Sequence, residues 1–337
     1  MKNILPVIAV LIIFIAAVPF IPGFVSGIRD MRGEDNAAEQ SLCSASDEST
    51  ADDAVTDDIA VRDEDILADG MTVREYVIRA VMAEMPCTAP EEALKAQAVA
   101  VRTALCRSIS HGTEPSAELL DEEKARRYYG DGYPKAYERI SAAVSSTGGM
   151  ILTYNGSPII AAFHPYNSGR TESAENVLGE DVPYLISVES PYDAGYPMQR
   201  RIFTYAEARA RLVTEHTDIN IPDNGRIFGG YITSAAGTVK EIGAGDKTLE
   251  GSEIMRIFSL PSAVFTVEQS EEDITFEIHG CSHCMGMSVY GAAAYAQQGM
   301  SFEEILLHYY PGAMLTKASY QSVEEEKSGV SRSSRNE

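Results

Sequence analysis

The stretch Thr72-Val-Arg-Glu-Tyr-Val-Ile-Arg-Ala-Val-Met-Ala-Glu-Met-Pro86 carries the first clear structural period of the chain. At about 100° per residue, Val73, Val77, Ala80, Val81 and Glu84 share one face of a helix, with Glu75 and Arg79 opposite. Pro86 terminates that helix, so Glu84 falls in its last turn, on the apolar side and at the negative end of the macrodipole. Desolvation and the dipole both disfavour a carboxylate there and raise its pKa. A carboxyl held protonated near neutral pH is what a general acid requires. The alternative is a frayed helix end from which Glu84 swings into water.

Working outward, Thr88-Ala-Pro-Glu91 has the pattern of a capping box with proline in the first turn of a second helix. Leu94, Ala98, Val101 and Leu105 then form a core-facing stripe, and Gln97 falls within it. An amide in such a stripe needs a partner, either in the neighbouring helix or in a ligand. The two helices thus predict a tight corner with Glu84 at its bend. Further along, Met150–Tyr154, Asn155-Gly156 and residues 159–163 predict a β-hairpin with a type I′ turn, delivering His164 to Thr171 at a strand end. Strands are expected over 226–234, 238–242, 263–267 and 274–279. Helices are expected over 135–146, 205–212, 251–258 and 291–298. Early helices followed by later strands indicate an α+β domain of mixed helices and antiparallel sheet.

Towards the N-terminus, Ile4 to Val25 carries no charge and is long enough to cross a bilayer as a helix. Lys2 before it and Arg29 and Arg32 after it orient it only weakly. A cleaved secretory peptide is the rival reading, and either one exports the remainder. The formal charge of −23 is concentrated between Asp30 and Asp69, where Asp47-Glu48, Asp52-Asp53, Asp57-Asp58 and Asp63-Glu64-Asp65 predict a disordered, self-repelling tether. The expected organisation is a transmembrane anchor over 1–28, an acidic tether over 29–69, a folded region over 70–316 and a disordered tail over 317–337. No basic face is present to bind phosphate, which argues against a nucleic-acid partner.

Residues 75–86 and 92–103 together resemble the opening motif of the stage II sporulation protein D family. Ser168-Gly169-Arg170-Thr171-Glu172 is similar to that family's Ser-Gly-Gly-x-Thr-Glu loop, with Arg170 in place of the second glycine. Residues 249–260 and 262–265 resemble its later helix and strand. Gly280-Cys-Ser-His283-Cys-Met-Gly286-Met-Ser288-Val-Tyr290-Gly-Ala and Tyr309-Tyr-Pro-Gly312 look like its Gly-His-Gly-Val-Gly-Met-Ser-Gln-Tyr-Gly-Ala and Tyr-Tyr-Pro-Gly signatures. The resemblance implies a lytic transglycosylase that cuts peptidoglycan between N-acetylmuramic acid and N-acetylglucosamine, with Glu84 as its single catalytic carboxyl. It also implies substrate contacts from Gln97, Arg102, Ser168, Gly169, Thr171, His283, Ser288 and Tyr290, and no cofactor. Its implied substrate is glycan stripped of peptides. Its implied partners are an amidase and a membrane scaffold protein of the engulfment complex in sporulation. A non-catalytic, wall-binding enhancer of an amidase is the competing role attached to relatives.

A single carboxyl suits such chemistry. Ordinary glycosidases need two because water or a second residue attacks the sugar, whereas here the sugar's own 6-hydroxyl attacks. The chain departs from the family in lacking its His-x5-Cys-x4-His-Cys zinc cluster, since only Cys106 and His111 stand in that region. Cys281-Ser-His283-Cys284, preceded by His279, leaves open zinc, thiol exchange, a disulfide to Cys87 or Cys106, or plain buried thiols. No metal site is assigned. A domain acting on wall places the N-terminus in the cytoplasm and the folded region outside, on a single-pass anchor in the cell membrane.

Overall fold

Thr72 opens the first helix: its hydroxyl accepts from the Glu75 N–H at 3.1 Å, and α1 then runs Val73–Glu84. Its apolar positions Val73, Tyr76, Val77, Ile78, Ala80, Val81 and Met82 are buried. The Met85 N–H still reaches the Val81 carbonyl at 2.9 Å, and Pro86, with no N–H to give, ends the ladder. α2 (Glu91–His111) ends at Gly112, whose φ of 64° supplies the left-handed C-cap. α3 (Glu122–Tyr129) and α4 (Tyr133–Ser146) complete a helical lobe in which Val77, Val81 and Met85 pack with Leu94, Val101, Leu105, Ile140 and Val144. The computed structural model describes residues 62–115, 117–222 and 225–317, all within one unit of the chain.

β1 (Met150–Tyr154) and β2 (Ser157–Pro158) form the expected hairpin, with Asn155 and Gly156 at φ 50° and 84°, as a type I′ turn requires. β3 (Phe163–His164) and α5 (Ala174–Leu178) follow, then β4 (Gln199–Thr204) and α6 (Tyr205–Glu215). Next come β5 (Phe228–Thr233), β6 (Val239–Ala244), β7 (Lys247–Glu250), α7 (Gly251–Phe258), β8 (Phe265–Gln269) and β9 (Asp273–Ile278). The chain closes with β10 (Met287–Ser288), α8 (Val289–Gln297), α9 (Phe302–Tyr309) and β11 (Met314–Lys317). Three antiparallel three-stranded sheets result, in the orders β11-β1-β2, β4-β9-β8 and β5-β6-β7, and β3 pairs with β10 in parallel. The architecture is α+β. The last two three-stranded sheets share a core with α6 and α7, where Phe228, Phe258, Phe265 and Phe276 meet edge to face or tilted. α2 lies between the helical lobe and the first sheet: Leu94 and Val101 face the former, while Ala96, Val99 and Ala100 pack with Leu152, Ile305 and Tyr309.

Four expectations change. The second hairpin strand stops at Pro158 rather than spanning 159–163. The Ile160 N–H turns instead to the Tyr184 hydroxyl at 3.1 Å, and residues 163–164 leave to join β10. Thr88 does not cap α2: it is exposed, the helix begins after Pro90, and Glu91 and Glu92 in the first turn pair with Lys95 at 2.8 Å each. Residues 62–69, assigned to the tether, are part of the fold. Ile66 bridges Thr72, and the buried Asp63 carboxylate meets the Arg102 Nε at 2.9 Å. Lys317, assigned to the tail, pairs with Met150 in the first sheet. The Ile4–Val25 span and the rest of the tether lie outside the described residues, among which no helix is long and apolar enough to cross a membrane.

Candidate functional site

Glu84 occupies the last turn of α1, partly buried, and no hydrogen bond or ion pair to its carboxyl is formed among the described residues. Burial, reinforced by the Glu118 carboxylate, pushes its pKa up to about 7. Glu118 is brought there by the segment after Gly112, which runs back along α1 so that the Leu120 N–H reaches the Arg79 carbonyl at 3.2 Å. The carboxyl is therefore an acid of near-neutral strength at the corner between two helices.

On α2, Gln97 is fully buried, and both its amide nitrogen and its amide oxygen lack partners among the described residues. Such orphan atoms in a core are costly. Arg102, one turn on, is different. It is also fully buried, but its guanidinium is saturated: Asp63 on one side, the Thr147, Met150 and Val144 carbonyls at 3.1, 3.3 and 3.2 Å on the other. The expected substrate contact from Arg102 is replaced by a brace joining α2 to the N-terminal segment and to the entry of β1.

The loop from His164 to Thr171 and the loop from Gly280 to Tyr290 are locked together by one carboxylate, Asp193, which stands in a 3₁₀ turn (Asp193–Gly195) and is almost completely enclosed. Ser288 Oγ donates to its Oδ1 at 2.8 Å, Asn167 Nδ2 to its Oδ2 at 3.1 Å, and Ser190 Oγ to Oδ2 as well. Ser190 in turn meets the Tyr309 hydroxyl at 2.7 Å. Burial raises the Asp193 pKa to about 7 against the pull of these donors. Gly291 must be glycine here, because a Cβ would collide with Tyr309, Ser190 and Asp193. Nothing in the spacing of Ser190-Pro-Tyr-Asp193 distinguishes it from an exposed turn, so neither Asp193 nor its partners Asn167 and Ser190 were among the expected site residues.

The two histidines take up both backbone groups of Met285. His164 Nδ1 lies 3.0 Å from the Met285 carbonyl, which can only accept, so that nitrogen carries the proton; the Met285 N–H donates to His283 Nδ1 at 3.0 Å, so there it is Nε2 that carries it. Burial lowers both pKa values, to about 3 for His164 and about 4 for His283, and both rings are neutral at physiological pH. His283 thereby offers an N–H donor in fixed orientation, and no proton-transfer role near neutrality.

Of the remaining expected contacts, Thr171 is fully buried and exchanges bonds with Val188, its Oγ1 accepting from the Val188 N–H at 2.9 Å. Ser288 is likewise enclosed, capping α8 through the Gly291 N–H at 2.9 Å while holding Asp193. Both build the site and do not reach its surface, which corrects the expectation of direct contact. Ser168 is partly exposed and ties its loop to the β5–β6 turn through the Ala236 carbonyl at 2.8 Å. Gly169, at φ 111°, donates its N–H to Asn167 Oδ1 at 2.8 Å. Tyr290 has a buried hydroxyl without a partner among the described residues. Its neighbour Val289 packs in the same cluster as Val81 and Met85, which ties the second loop to the Glu84 corner.

Cys87, Cys106 and Cys284 are free thiols, and burial raises the pKa of Cys106 and Cys284 to about 12 in each case. Cys106 and Cys284 are protonated and inert, Cys284 facing the Ser262 hydroxyl at 3.7 Å. Where relatives are read as holding zinc, Cys106 is buried and His111 exposed, and among the described residues no three His, Cys, Asp or Glu side chains gather as a ligand set. The residues present do not fit that metal site.

Residues 64–154 match the sequence profile of the Stage II sporulation protein family. Over 267 residues the chain is 34% identical to stage II sporulation protein D of Bacillus subtilis (strain 168), covering 74% of this chain and 76% of that protein. The chain belongs to the stage II sporulation protein D family. Its counterpart from Bacillus amyloliquefaciens is 33% identical with the same coverage. An amidase enhancer of Bacillus subtilis (strain 168) is 29% identical over 290 aligned positions, an alignment that covers 69% of this chain and 39% of that protein. Within the stage II sporulation protein D family this chain presents a desolvated glutamate, an orphaned glutamine amide and two loops latched by a buried aspartate.

Proposed function

We propose that this chain is a membrane-anchored lytic transglycosylase that cuts glycan strands of peptidoglycan during sporulation, with Glu84 as acid and then base. The observation that carries this reading is the Glu84 carboxyl, unpaired among the described residues and with its pKa at about 7. Protonated, it gives its proton to the glycosidic oxygen as the bond to C1 of N-acetylmuramic acid breaks. Ionised, it takes the proton of the C6 hydroxyl as that oxygen closes on C1, leaving a 1,6-anhydro end and restoring the acid. The reading includes an anchor at Ile4–Val25 with its N-terminus cytoplasmic, a folded domain outside, peptide-free strands as substrate, and an amidase and a membrane scaffold protein as partners.

A second reading, a non-catalytic enhancer of an amidase, draws on the 29% identity to the amidase enhancer. The two separate on one measurement. Full-length protein incubated with peptide-free glycan strands should release anhydro-muramyl ends visible by mass, and Glu84→Gln should release none. Binding of strands without any such product would sink the enzymatic reading and leave the enhancer.

A further inference from the structure

We propose that Tyr196 is a sugar-stacking platform beside the candidate site, against which the C–H face of one pyranose ring of the strand lies; this rests on the glycan reading above. Tyr196 follows the 3₁₀ turn of Asp193 and precedes β4. Its ring is stacked on Tyr166, with centroids 3.7 Å apart and planes 19° apart. Tyr166 is itself buried, and its hydroxyl accepts from Gln199 Nε2 at 2.7 Å, so the ring beneath is fixed. Tyr290 meets Tyr196 edge-on, at 5.2 Å and 83°. Beyond these two ring contacts, 36% of Tyr196 remains exposed.

A ring held rigidly from behind presents its electron-rich face to whatever arrives, and loses little side-chain freedom on binding. Sugar rings expose polarised C–H groups on one face and hydroxyls around the rim, which matches an aromatic surface bordered by polar groups. Both supports of Tyr196 come from the site, Tyr166 from the loop of Ser168 and Tyr290 from the residue beside Val289, which packs with the Glu84 corner.

The test measures binding of full-length Glu84→Gln protein, which does not consume the probe, to peptide-free glycan strands. Adding Tyr196→Ala should weaken binding by about five- to tenfold, a loss of the size typical of one aromatic contact. Tyr196→Phe should bind as the parent does. Tyr196→Leu keeps bulk over Tyr166 without a ring face, and should lose affinity as alanine does even though the loop stays packed. Unchanged affinity in Tyr196→Leu overturns the platform and leaves the glycan reading standing. If the Glu84→Gln parent itself does not bind strands, the glycan reading falls and this inference with it.

Discussion

At the scale of single residues, the candidate site is built of groups whose surroundings contradict their polarity. On the proposed mechanism Glu84 must start protonated, and its pKa of about 7 sets the window: turnover should fall about tenfold per pH unit above 7, as initial rates of anhydro-end release across pH 5 to 9 would show. Glu84 was legible from sequence because the helical period and Pro86 together fix its place. Gln97 was legible as a polar residue in an apolar stripe, but its want of any partner was not, since that depends on what the neighbouring elements present. Replacing its orphaned amide by a similar apolar shape, Gln97→Leu, should raise stability by about 1 kcal/mol while lowering strand cleavage. Thermal melting and product assays on the same sample check both halves. Asp193 escaped altogether, because a carboxylate in a Pro- and Tyr-containing turn has the pattern of a solvated loop.

At the scale of elements, periodicity and turn chemistry predicted well where they act locally. The type I′ hairpin, α7 over Gly251–Phe258 and the β8–β9 pair lie close to their expected places. The losses are long-range. β11 exists because β1 offers it an edge, and β3 and β10 are two residues each, held by register rather than by propensity. The capping box at Thr88 failed because Pro90 and two glutamates start α2 without it. α8 shows how an element serves the site: its Gly291 leaves room for the Asp193 cluster. Gly291→Ala should cost roughly 3 kcal/mol or more by driving Ser190 and Tyr309 apart, despite alanine's better helix propensity. Denaturant melts of the variant test this, and a stabilised variant would refute the packing described.

At the scale of the whole molecule, two buried polar devices set stability. Removing one partner of the Asp63–Arg102 pair strands a charge in the core, so Asp63→Ala should cost about 3–5 kcal/mol, measured as a shift of the denaturation midpoint. Asp193 acts in the other direction with pH. Its folded pKa, about 7, lies above its ordinary value of 3.8, so its contribution to stability is complete below about pH 4 and is lost as pH rises through 7. Asp193→Asn should flatten that part of the stability profile relative to the native protein, and an unchanged slope would count against the assignment. The parallel pairing of β3 with β10 and the closing of β1 by β11 join residues more than a hundred positions apart. A ribosome releases Met150 long before Met314, and Phe163 long before Met287. The loops beside Asp193 therefore stay unlatched until nearly the last described residue has emerged, and the first sheet waits with an open edge. On the proposed function, chains cut short before β10 would be inactive whatever their glutamate, and activity would be a late property of synthesis.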